Sequence, residues 1–211
     1  MPTMTPSSWL ALPSDVFLKI LQHVDDAETL FYLLDTRGDD RRGPVEQHLW
    51  QLGQVMPRAT LWPVLHLDVR HRLRLKSLSL LGHVEETMPV FGHILVNSCS
   101  GLSSSHPLVG SNVARLSLHD TENDDTDDYE DGMLVLLQTL PRTNVNTLDL
   151  SDRFMMITNL SKFGPALAGT HGLETLVLKS SHLTEACTID LAQILKAHLT
   201  LRHLHVLLEG S

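Results

Sequence analysis

The chain has 211 residues, 42% of them hydrophobic, with 16 Lys and Arg against 25 Asp and Glu, for a formal charge of −9. That is enough apolar material for one sizeable core, or for a small module joined to an elongated one. It excludes a disulfide framework, because Cys99 and Cys187 are the only cysteines, and it excludes a membrane helix, because no stretch approaches ~18 uninterrupted apolar residues.

The first residues, MPTMTPSSW, lack the basic region and apolar core of a signal peptide, so the chain is expected in the cytoplasm or nucleus. From Leu12 the sequence reads LPSDVFLKILQHVDD. Val16, Phe17, Ile20, Leu21 and Val24 fall at the spacing that gathers them on one side of a helix. Leu12-Pro13 is a sound helix start, since proline fixes the first backbone dihedral and lacks an amide hydrogen that would go unsatisfied there. A second helix carries Leu30 and Leu33, and a third segment closes on Leu49-Trp50. These residues, about 9–50, form one helical unit, followed by a connector at 51–74.

From residue 75 to 211 the chain repeats. Five segments share an apolar-x-x-Leu-x-apolar frame: LKSLSL from Leu75, VARLSL from Val113, VNTLDL from Val145, LETLVL from Leu173 and LRHLHV from Leu201. Their starts are 38, 32, 28 and 28 residues apart. Alternation within each frame, as at Leu176 and Leu178, predicts a short strand with one buried side. Between the last two frames Ala186, Ile189, Leu191, Ala192, Ile194 and Leu195 predict a helix, with Thr184 as its N-cap and Glu185 behind it. A single strand–turn–helix unit cannot bury both its strand and its helix, so copies must stack into a parallel sheet with helices outside. The Ser- and Gly-rich stretch 97–112 and the run DTENDDTDDYED at 120–131 read as surface insertions. That run holds eight acids and no base, which makes most of the net charge local.

The repeated frame resembles the ribonuclease-inhibitor-like leucine-rich repeats. It departs from them where the family usually places Asn and this chain has His83, Thr121, Arg153 and Ser181. The resemblance implies an α/β fold, a leucine-rich-repeat solenoid whose short parallel sheet carries convex helices. The helical unit, from Leu12-Pro13 through Ile20, Leu21 and Val24 to Leu49-Trp50, resembles the F-box, which binds the Skp adaptor of cullin-RING ubiquitin ligases. Here TRGDDRRGPVEQ at 36–47 stands where the family has an apolar and basic third-helix segment. This resemblance implies an adaptor surface built from Leu12, Pro13, Val16, Ile20, Leu21, Val24 and Leu30. The repeats would then hold a target protein through Arg115, His119, Asp149, Lys179, His203 and His205, at the third, fifth and seventh positions of the frames. The whole would be the substrate receptor of a ubiquitin ligase. The alternative is an interaction scaffold with no ligase link, whose N-terminal helices only cap the solenoid.

Other chemistries find little support in the residues. Arg115 or Arg153 offered to a GTPase would make the chain an activator, but nothing around either favours this. His203 and His205 point the same way from one strand, yet no acid or cysteine stands at a recognisable ligand spacing, so no metal is expected. In the acidic run Gly132 follows all eight acids, which does not fit a calcium loop. No phosphate loop, nucleophile elbow or defined carboxylate pair occurs, so neither catalysis nor a cofactor is expected. The scattered bases, RHRLRLK at 70–76 included, do not make a nucleic-acid surface.

Overall fold

A computed structural model describes residues 12–67, 81–96, 108–109, 111–118, 134–151, 160–179 and 185–207. The chain divides into two compact units, one comprising Met1–His66 and Arg70–Phe91, the other Leu67–Val69 and Gly92–Ser211.

The first unit is helical. Helix α1 (Ser14–Leu21) starts behind Pro13, whose carbonyl accepts the Phe17 amide at 3.0 Å. Helix α2 (Ala27–Arg37) is capped by Asp26, whose carboxylate accepts the Thr29 amide at 2.7 Å. That bond holds the Asp26 carboxyl below its usual range. Gly38, at φ 72°, ends α2 in a region glycine occupies without steric cost. Helix α3 (Pro44–Val55) opens on Pro44, so the segment at 36–47 that departs from the F-box pattern still leads into a full 12-residue helix. Helix α4 (Leu81–Thr87) packs on α3, and His48 and His83 meet there with their Nδ1 atoms 2.5 Å apart. Burial, and secondarily the charge of His48, lowers the His83 pKa. Phe17, Leu21, Leu30, Phe31, Leu49 and Leu52 are enclosed in this unit. Each such side chain stabilises it by about 1.5–3 kcal/mol relative to exposure. Trp62 joins them, donating from Nε1 to the Val24 carbonyl at 2.6 Å and meeting Phe91 with ring centres 5.8 Å apart.

The sheet has six strands in sequence order: β1 (Leu65–Leu67), β2 (His93–Val96), β3 (Arg115–Leu118), β4 (Thr147–Leu150), β5 (Thr175–Lys179) and β6 (His203–Leu207). From β2 onward every pairing is parallel and in one register, which aligns His93, Arg115, Thr147, Thr175 and His203. Helices α5 (Leu160–Ala168) and α6 (Glu185–Ala197) connect β4 to β5 and β5 to β6, and they pack on each other. The chain is thus α/β with a parallel sheet.

Strands β3 to β6 fall on four of the five frames, and the fifth, at 75–80, lies outside the described residues. Strands β1 and β2 were not anticipated, yet both obey the same pattern. WPVLHL from Trp62 satisfies it outright, and FGHILV from Phe91 does so with Ile94 in place of leucine. Ile94 pairs in register with Leu116, and both are wholly buried.

One backbone joint recurs at the start of each strand from β3 to β6. The Gly92 carbonyl accepts the amides of Ala114 and Arg115. Ala114 does the same for Asn146 and Thr147, Asn146 for Glu174 and Thr175, and Glu174 for Arg202 and His203, all at 2.8–3.0 Å. Just upstream, a hydroxyl closes the preceding turn. Ser111, Thr143 and Thr170 each bond through Oγ to the carbonyl three residues back, at Leu108, Leu140 and Leu167. This Leu-x-x-Ser/Thr signal is present in the sequence and marks the approach to three strands.

Helix α6 is rotated from its predicted stripe. Leu191, Ile194 and, just beyond the helix, His198 are buried, whereas Ile189 is 56% exposed and Ala192 is also exposed. The spacing i, i+3, i+7 selects one face, and a residue five before Ile194 falls outside it.

Candidate interaction surfaces

On the helical unit, the residues expected to meet an adaptor separate into two sets. Leu21 and Leu30 are 1% and 0% exposed, and Phe17 is 2% exposed, so these side chains build the unit's own core. This corrects the expectation for Leu21 and Leu30, because an enclosed side chain offers no area to a second protein. Val16 is 38% exposed, Pro13 is exposed, and Leu12, Ile20 and Val24 are half-buried. Val16 and Ile20 stand one turn apart on α1 and form an apolar strip that is only partly covered within this unit.

A buried polar knot that the sequence did not foretell holds the entry to that strip. Arg37 directs Nη2 to the Leu12 carbonyl at 2.6 Å and Nε to the Arg41 carbonyl at 2.9 Å, and its guanidinium lies 4.4 Å from the centre of the Phe17 ring. Its Nε also lies 2.8 Å from Glu46 Oε2. Burial raises the Glu46 carboxyl above its ordinary value, while Arg37 and the Ser14 hydroxyl pull it the other way. Gly43 leaves room for this packing, since a Cβ there would stand 2.8 Å from Ser14 Cβ. No local pattern announces such a knot; the unusual density of charge at 37–46 is the one trace it leaves in the sequence.

On the sheet, the third and fifth frame positions share the face opposite the buried leucines; Arg115, His203 and His205 are exposed there, Thr147, Asp149, Thr175 and Val177 are half-buried, and Ser117 is buried. Arg115 is exposed and bonds through Nη2 to Asp149 Oδ2 at 2.6 Å on the next strand. The same diagonal joins His93 Nε2 to Ser117 Oγ at 2.8 Å. Burial raises the Asp149 carboxyl, but hydrogen bonds from the Ser151 hydroxyl and amide and from Arg115 outweigh it, and the net pKa is lowered. Lys179 is half-buried, and His203 and His205 are exposed with ring centres 6.3 Å apart. His119 lies outside the described residues, as does Arg153. The Arg115–Asp149 pair and the two histidines share one face but not one cluster, because β4 and β6 are two strands apart, about 10 Å. His93, which went unmarked in the sequence together with its strand, belongs to the same row as Arg115 and His203.

Among the described residues no three His, Cys, Asp or Glu side chains converge as metal ligands, and no helix is long and apolar enough to cross a membrane. No protein-family model, curated protein or solved structure matches the chain.

Proposed function

We propose that the chain is the substrate-recognition subunit of a Skp-cullin-F-box type ubiquitin ligase, with its helical unit docking the Skp adaptor and its sheet holding a target protein as a leucine-rich-repeat surface. The observation that carries the reading is the exposed Val16, with half-buried Ile20 one turn on, beside Leu12-Pro13. An amphipathic helix that buries Phe17 and Leu21 at home while leaving Val16 outside is suited to a second apolar contact. The recurring joint and the single register support the repeat reading, since identical units present side chains in straight rows. In this role the chain supplies no reacting group. It works in the cytoplasm or nucleus, raising the effective concentration of a target lysine near the conjugating enzyme.

Capture by purified Skp adaptor tests the proposal. Wild-type chain should bind, and Val16→Asp should weaken capture at least tenfold with its thermal unfolding unchanged, because Val16 is already 38% exposed. Equal capture by wild type and Val16→Asp, or no capture of the wild type, would sink the ligase reading and leave the interaction scaffold.

A further inference from the structure

We propose that His203 and His205 form a chelating site for a borderline divalent transition-metal ion, copper(II) foremost. The two residues alternate on β6 with Leu204 between them, so both imidazoles leave the strand on the same side. Both are exposed, their ring centres are 6.3 Å apart, and their planes are inclined by 29°. Among the described residues neither ring has a hydrogen-bond partner. Four histidines elsewhere differ in this respect. His48 and His83 are bonded to each other, His93 to Ser117, and His198 to Thr170 and Thr200, which occupies ring nitrogens that a metal would need.

The separation lies at the outer limit for a shared ion. With metal–nitrogen bonds of ~2.0 Å, two imidazoles on one ion hold their ring centres ~6.4 Å apart when trans and ~4.5 Å apart when cis, so the rings have to close to chelate in the cis arrangement. Rotation about the broad terminal torsion of an exposed histidine then turns a nitrogen of each ring inward without moving the backbone. That backbone is already fixed, because β6 pairs with β5 at five consecutive positions and the Glu174 carbonyl binds the His203 amide at 3.0 Å. Two imidazoles on a rigid strand lose little freedom when they close on one ion, which is the source of the chelate advantage. A tetrahedral zinc site would want a third protein ligand; copper(II) does not require one, since water completes a tetragonal set. Imidazole favours the late first-row ions, so affinity should follow copper(II) above nickel(II) and zinc(II). This site is independent of the ligase reading, and its test needs neither adaptor nor target.

The test is titration of copper(II) into the full chain, followed by calorimetry and by electron paramagnetic resonance. Wild type should show one site tighter than the rest, with a spectrum of two coordinating nitrogens. His203→Asn and His205→Asn should each weaken that site at least tenfold, and the double variant should abolish it. Circular dichroism should stay unchanged, since both side chains are exposed. A tightest site that survives in the double variant, or single variants that bind as wild type does, would overturn the proposal.

Discussion

Arg37 and Glu46 form an ion pair at 2.8 Å in which both side chains are almost wholly enclosed, 3% and 0% exposed. The pair joins the last turn of α2 to the first turn of α3, and Arg37 at the same time holds the Leu12 carbonyl ahead of α1. Three helices are thus oriented by one guanidinium. Such a group costs desolvation, so its value lies in the geometry it imposes as much as in net stability.

Breaking this pair from one side should be severe. Arg37→Met leaves the Glu46 carboxylate buried without a countercharge, and chemical denaturation should report a loss of about 3–5 kcal/mol. The pH dependence has a defined sign. Burial raises the folded-state value of Glu46 above 4.5, so its protonation favours the fold. The associated stability is complete below the ordinary glutamate range and is lost as pH rises through the raised value. Glu46→Gln should remove that component, and Arg37→Met should steepen it. Denaturation curves between pH 4 and neutrality, roughly the window of the carboxylate shift, read both.

Two glycines in helices should respond oppositely to alanine. At Gly53 on α3 a Cβ would overlap the ring of buried Phe31, standing 2.6 Å from Cζ and 2.8 Å from Cδ1. Gly53→Ala should therefore destabilise by about 1–3 kcal/mol despite the better helix propensity of alanine. At Gly82 on α4 nothing lies within 4 Å of the added carbon, and Gly82→Ala should stabilise by up to about 1 kcal/mol. Thermal melts of the two variants give the signs directly.

Thr170 and His198 make a third case. The Thr170 hydroxyl reaches the Leu167 carbonyl at 2.5 Å and His198 Nε2 at 3.1 Å, with both residues buried. Thr170→Val keeps the shape but strands the imidazole nitrogen, at a cost of about 1–3 kcal/mol. Burial lowers the His198 pKa, so the unfolded chain takes up the proton first. The stability held by neutral His198 is present above 6.5 and is lost as pH falls from there through the lowered value. His198→Asn should flatten the loss of stability on acidification, followed by denaturant midpoint against pH.

Much of the sheet was legible because few structures but a one-sided strand produce a period of two with leucine at fixed spacing. Leu116, Leu148 and Leu176 fell where the frame put them and are buried, whereas Leu204, the equivalent leucine of the last frame, is 38% exposed on a strand with no buried side. Strand β2 escaped because Ile94 occupies the leucine position, and β1 because Pro63 and Trp62 read as a connector rather than as the start of a frame. The buried stripe of α6 was misplaced since apolar Ile189 and Ala192 carry no mark distinguishing them from the buried Leu191 and Ile194. On the helical unit the spacing identified an amphipathic α1, but it could not divide Val16 from Leu21. That division depends on where α2 and α3 come to lie, which is fixed partly by Arg37 and Glu46, a long-range pair without local periodicity.

The shared-carbonyl joint at Gly92, Ala114, Asn146 and Glu174 is made by main-chain atoms alone. It therefore asks nothing of side-chain identity, and glycine, alanine, asparagine and glutamate serve it equally. An ancestor built on this hinge could duplicate or delete a whole strand-and-helix module and keep every remaining row in line. Inserting one residue inside a strand would instead turn its leucines outward.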